Sequence, residues 1–363
     1  MSPHRASPTR TPTPAPTRTP AADDAAVADL LNGFIGTYVL YALIRTGVLD
    51  HLYDGPGAAG GGAVPVARLA ADTGTDPDVL VPLLRSADRA GLLAHDPARA
   101  EVTLTARGRH AHRVRGYFTA TVGGFGDVFR SLDSLALGRD SFAGGALQDG
   151  HLTALGCAQN WTFQKPLFDE ATAGLAFTHA ADIGCGAATR LIHLVESRPG
   201  TTGIGVDVNA EACQLARQNV KRAGLDDRIT IVQADMLDVV SDPAAYPQVA
   251  EADLVTSYFI LHHFVGGEVG GRPFLTAFRE AFPAARHVVV ADGFTEEPGE
   301  RAPVTPLFTL AYELFHDVMG IGLQTHAAQR RHFADAGFTI LREIEFGHPL
   351  EWLFVLGSPG EGK

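Results

Sequence analysis

From residue 180 onward the chain alternates short apolar runs with amphipathic stretches, and this alternation restricts the fold more than any other feature. Strands are predicted over 180–183, 203–206, 229–233, 254–259 and 287–291, with helices over 188–196 and 211–223 between the first three. Strand, helix and strand at that spacing build a parallel, doubly wound α/β sheet. Two late runs, 338–344 and 350–356, are separated by too few residues for a crossover helix, so they must pair antiparallel. A parallel sheet that ends in an antiparallel hairpin differs from the dinucleotide-binding arrangement.

Upstream the grammar changes. Residues 1–24 are rich in Pro, Thr and Arg and offer too little apolar area to offset the entropy of ordering, so a disordered tail is expected. Over 29–52, Leu30, Phe34, Tyr38, Tyr41, Ile44 and Val48 recur at helical spacing on a wide face. That face predicts a buried helix packed against a second chain or another domain. A glycine loop is expected over 55–62. Residues 64–110 read as helix, turn, helix and strand pair, with Asp76 as a cap, Pro77 at the first helical position and a turn at Asp96-Pro97. This is the order of a winged helix. Its second helix mixes Arg85 and Arg89 with Asp76, Asp78 and Asp88, which favours a structural role over duplex reading. Residues 116–178 look helical and aromatic, and are expected to link the two parts and wall a pocket.

Charge and cysteine usage narrow the function. Lys and Arg number 29 against 41 Asp and Glu, a formal charge of −12, which opposes phosphate neutralisation and argues against a nucleic-acid partner. Cys157, Cys185 and Cys213 form no C-x-x-C pair, so neither a disulfide scaffold nor a thiolate zinc site is expected. Free thiols suit a reducing cytosol. No uninterrupted apolar run reaches about 18 residues, and the N-terminus lacks an apolar signal core. The expectation is a cytoplasmic protein without a membrane partner.

The first strand of the α/β part ends Asp182-Ile183-Gly184-Cys185-Gly186-Ala187-Ala188. Two glycines one residue apart let the backbone turn tightly and approach a ligand, and the next helix presents its free N–H groups. Asp207 ends the second strand, 21 residues after Gly186, where a carboxylate can accept bonds from ribose hydroxyls. The third strand runs into Asp235-Met236, an acid for an adenine amino group and a thioether to pack on the ring. Ala188 and Thr189 stand where a dinucleotide loop wants glycine, and no phosphate-binding arginine is evident. Acids after three successive strands suit a cationic ligand without phosphates.

These residues resemble the ligand-binding motifs of class I S-adenosylmethionine-dependent methyltransferases. With the winged helix, the resemblance covers about residues 30 to 357 and is closest to the small-molecule O-methyltransferases. It implies a Rossmann-like seven-stranded sheet with an antiparallel last strand behind an N-terminal winged-helix dimerisation domain, and therefore a homodimer. The expected parts are a tail (1–24), a dimerisation domain (25–115), a helical connector (116–179) and a catalytic domain (180–357). Asp182, Gly184 and Gly186 are expected along the methionine moiety, Asp207 on the ribose, and Asp235 and Met236 at the adenine. Ala188 departs from the glycine common at that place in the family.

After the fourth strand comes Leu261-His262-His263-Phe264. In the O-methyltransferases a similar segment carries the general base, and His262 matches that histidine, while His263 replaces the usual acid. On a strand, neighbours face opposite sides, so spacing leaves open which of the two points inward, and the motif match selects His262. A second imidazole, His316, lies in Tyr312-Glu313-Leu314-Phe315-His316-Asp317, read as a helix over the mouth of the site. If both face inward they can hold iron or zinc. The pair resembles the metal-dependent α-keto acid C-methyltransferases of peptide-antibiotic biosynthesis, which implies a small α-keto acid as substrate and a metal-stabilised enolate as nucleophile. Arg130 and Arg139 are candidates for clamping its carboxylate, with Arg130 preferred. The competing readings are a metal-independent O-methyltransferase of an aromatic natural product, with His262 as base, and a ligand-sensing winged-helix regulator. Thr325 is expected only to cap the helix that follows it.

Overall fold

A computed structural model describes residues 22–55, 62–142, 147–266, 271–299, 307–346 and 350–358. The expected tail lies outside these residues up to position 21, as does most of the expected glycine loop.

The N-terminal part holds strands β1 (Val64–Pro65), β2 (Leu93–Asp96) and β3 (Glu101–Leu104), all antiparallel in the order β1-β3-β2. Helices Val66–Thr73 and Pro77–Arg89 pack beside them. Asp76 caps the second helix by accepting from the Asp78 N–H at 2.9 Å, as its sequence predicts. The N-terminal helix, Ala22–Arg45, departs from expectation. Only its last turns are buried, through Val39, Leu40, Leu43 and Ile44, while Val27, Leu30, Leu31 and Phe34 are exposed. The wide apolar face exists, but half of it has no partner within one chain. By length and composition alone this is the one helix among the described residues able to cross a membrane.

The main sheet has seven strands: β4 (His179–Ile183), β5 (Thr202–Asp207), β6 (Ile229–Gln233), β7 (Leu254–Tyr258), β8 (His287–Gly293), β9 (Thr339–Glu345) and β10 (Glu351–Gly357). Their order is β6-β5-β4-β7-β8-β10-β9. The first five are mutually parallel, and β10 runs antiparallel to both β8 and β9. β4, β7 and β8 are buried on both faces because helices cover both sides. One face packs on Phe274, Phe278 and Phe333, the other on Phe168, Leu191 and Val220. Reversal at β10 has a positional consequence. The start of β10, not its end, lies at the carboxyl rim of the parallel strands, with Glu351 opposite Gly293.

Between the two parts, the helix Gly150–Thr172 packs against the turns from Arg115 to Gly124 and against the helix Ala210–Ala223, tying the connector to the α/β part.

Candidate active site

A cavity of about 640 Å³ opens at the carboxyl rim of the sheet, where open α/β sheets bind ligands. Its two ends differ in chemistry.

At one end stand the strand-terminal carboxylates. Gly184 and Gly186 both have positive φ, +67° and +53°. A Cβ on Gly184 would lie 2.2 Å from Ile260 Cγ1, so glycine lets the segment after β7 rest on this loop. Ala188 also adopts the left-handed conformation, φ +59°, which explains why glycine is common there in the resembling family and shows that alanine accepts the turn. Asp207 lines the cavity, its carboxylate accepting from Gly186 N–H and Asn209 N–H at 2.9 Å each. Burial raises its pKa above the usual carboxylate value, against the pull of those two bonds. Asp235 caps the helix Met236–Ser241 through the Leu237 N–H at 2.8 Å, and both Asp235 and Met236 face the cavity.

Asp182 does not line the cavity as the sequence reading expected. Its carboxylate is fully buried beneath the loop, where Oδ1 accepts from Thr256 Oγ1 at 2.7 Å and from Arg190 at 3.3 Å. Arg190 is the group that reaches the cavity wall, with its guanidinium 4.4 Å from the Tyr258 ring centre. Asp182 acts one layer down because a mid-sheet strand carries its side chain into the layer between sheet and helix.

At the other end the imidazoles gather. The chain leaves β7 through Phe259, φ +56°, and starts a short helix, His262–Val265. The alternation argument therefore does not apply. On one helical turn, His262 and His263 both border the cavity. His316, on the helix Thr309–Val318, meets them from above, and the potential ligand atoms of all three lie within 4.8 Å of one another. Asp292, at the end of β8, cups His262: Oδ2 accepts the backbone N–H at 3.1 Å and Oδ1 faces Nδ1 at 2.6 Å. His316 Nδ1 lies 2.6 Å from the Tyr312 carbonyl, which can only accept. These partners assign the proton to Nδ1 in both rings and leave Nε2 as a free lone pair. His262 Nε2 is buried without a hydrogen-bond partner. Burial pushes His262 down to about 3 and His316 to about 2, so both are neutral at ordinary pH, while His263 is the exposed member of the three. Burial also pushes Asp292 up, to about 7.

Aromatic rings close this end: Phe125 stacks on Phe315 at 4.1 Å, and Phe259 and Phe308 join them on the wall. Tyr117 and Trp161 contribute from the connector. Arg130 and Arg139 take no part in it. Arg130 is a surface residue paired with Asp127, three positions away on one short helix, and Arg139 is exposed. Neither lines the cavity.

Three residues escaped the sequence reading. Asp292 ends the fifth parallel strand, so the rule that ligands gather at strand ends could have found it. Arg190 and Glu351 carried no local signal, since one depends on a buried partner and the other on strand reversal.

Seven strands in this order, with acids at the ends of β5 and β6 beside a glycine turn, make the fold of the class I S-adenosylmethionine-dependent methyltransferases. A family profile described as "Methyltransferase domain" matches residues 180–270. Among known proteins, the chain is similar to an indolepyruvate C-methyltransferase of Streptomyces griseus, 31% identical over 178 residues, which is 48% of this chain and half of that protein. It is also similar to a 2-ketoarginine methyltransferase of Streptomyces arginensis, 26% identical over 86% of this chain and 87% of that protein. Human N-acetylserotonin methyltransferase, solved in complex with SAM, shares the fold with a TM-score of 0.66, at 17% identity over 94% of this chain and 99% of that one.

Proposed function

We propose that the chain is a methyltransferase of secondary metabolism that moves the methyl group of S-adenosylmethionine to the β-carbon of an α-keto acid with an aromatic side chain. The observation that carries this reading is the convergence of His262, His263 and His316. An O-methyltransferase working through a general base needs one imidazole. Here three rings crowd together, two of them buried and neutral with Nε2 directed away from their Nδ1 partners, and the nearby carboxylate of Asp292 holds the far side of His262. A carboxylate behind a histidine is the usual support of a metal ligand, fixing its tautomer and orientation. Such donors suit iron or zinc. The ion would supply Lewis acidity to a keto oxygen, worth several kcal/mol as enolate charge develops.

The chain's own residues supply the rest. We assign Asp207, which lines the cavity, to the ribose hydroxyls, Asp235 and Met236 to the adenine, and Gly184 and Gly186 to the close approach of the donor's chain to the backbone. Phe125, Phe259, Phe308 and Phe315 exclude water and favour a flat apolar side chain. With Arg130 and Arg139 outside the cavity, the acceptor's carboxylate has no arginine clamp from those two, which gives the imidazole-held ion the task of binding it. The names of the two Streptomyces relatives, each referring to a keto acid, agree with this choice.

The exposed apolar residues Val27, Leu31 and Phe34 are the face we assign to a second copy, in a cytoplasmic winged-helix homodimer. Metal analysis of the purified protein beside its His316→Ala variant tests the central assignment. Bound iron or zinc in the parent and its loss in the variant are expected. Equal metal content in the two, or none in either, would refute the site.

A further inference from the structure

The proposed reaction leaves one task without a residue: removal of the β-proton. Glu351 opens β10 and, because that strand is reversed, lies at the ligand rim beside Gly293. Its side chain is buried, and both carboxylate oxygens accept from one hydroxyl, that of Tyr117, at 2.9 and 2.8 Å. No Lys, Arg or His pairs with it among the described residues. A carboxylate buried without a cation is costly to keep ionised, and such a group beside a cleft is a functional candidate. Tyr117 supplies the link, because it lines the cavity that holds the three histidines. Its ring sits 4.8 Å from Phe308, which lies 5.5 Å from Tyr312, whose hydroxyl reaches both His262 and Asp292.

We propose that Tyr117 and Glu351 form the proton-abstracting pair of this enzyme, acting on the β-carbon of the bound α-keto acid; the inference rests on the carbon-methylation reading above. The β-C–H bond breaks, and its electron pair becomes the new C=C bond as the carbonyl π pair moves onto the keto oxygen. The proton passes to Tyr117 Oη while the phenol's own proton passes to Glu351. The phenol is unchanged, and the carboxyl holds the proton until water takes it. The β-carbon then bonds to the sulfonium methyl, and the S–C electron pair stays on sulfur.

Burial pushes Glu351 up to about 8; the Tyr117 bond opposes this and the charge of Asp292 adds to it. A base titrating near the working pH is well matched to such a transfer. The titratable groups facing the pair are Asp292 on β8, Tyr312 and Glu313 on the helix above, and Cys157 on the connector helix.

The test is hydrogen–deuterium exchange at the β-carbon of phenylpyruvate in D2O, with the full-length protein carrying its metal and no methyl donor, corrected for exchange without protein. Exchange by the parent is expected to rise with pH through about 8. Glu351→Gln and Tyr117→Phe are each expected to slow it about a hundredfold. Both should lose much less on freshly dissolved enol tautomer than on the keto form, because that substrate bypasses the step. Parental exchange in both variants would overturn the proposal. So would equal losses on keto and enol forms, which is the mark of a merely structural pair. A parent that methylates no keto acid on carbon would bring down the function reading first, and this pair with it.

Discussion

The two ends of the cavity are built by different rules. The carboxylate end is local: Gly184, Gly186, Asp207 and Asp235 follow strands β4, β5 and β6 directly, and backbone N–H groups hold the acids in place. The imidazole end is assembled from far apart: Tyr117, the turn after β7, Asp292, the helix Thr309–Val318 and Glu351 meet only after folding. A site whose residues hang on consecutive strand ends binds the ligand common to its class. A site drawn from distant segments can change its acceptor and chemistry without disturbing the first.

If that division holds, damage to one end should spare the other. The largest effect is expected from His262→Ala, a drop in methyl transfer of about a thousandfold, as several kcal/mol of lost charge stabilisation requires. Calorimetry should find S-adenosylhomocysteine bound as tightly as by the parent, and a parallel loss of nucleoside affinity would break the comparison. Asp207→Ala is the converse. Losing bonds to a charged acceptor should weaken nucleoside binding by about ten- to a hundredfold while metal content stays unchanged. Asp292→Asn sharpens the picture at the imidazole end. It keeps the size of the group but weakens its grip on His262, so metal affinity should fall about tenfold or more by competition with a chelator, with the melting temperature little altered. The smallest effect is assigned to Ala188→Gly. Relief of left-handed strain exceeds glycine's entropic cost only slightly, so stability to urea should rise by less than about 1 kcal/mol.

The same division decides what could be read in advance. Strands β4 to β10 follow from apolar periodicity, and their ends carry the carboxylates, so the sheet and the donor end are legible residue by residue. Asp182 shows the limit of that reading. Its place in the motif is visible in sequence, but whether it faces ligand or the layer beneath depends on Arg190 and Thr256. Strand alternation leaves the choice between His262 and His263 open and only the motif match selects His262; the chain leaves β7 at Phe259, so both histidines reach the cavity. Arg130 is a candidate clamp in sequence for its bidentate guanidinium in the aromatic segment, and Asp127 on the same short helix gives that charge a surface partner instead. Glu351 had no readable signal at all, because its position at the rim follows from the direction of β10.

The central claim is best tested by following a carbon-13 methyl group from labelled S-adenosylmethionine onto phenylpyruvate by NMR, in strong chelator and after return of iron or zinc. The account predicts a methyl bonded to carbon, absent in chelator and restored by metal. A methyl bonded to oxygen, or transfer undiminished in chelator, would contradict it.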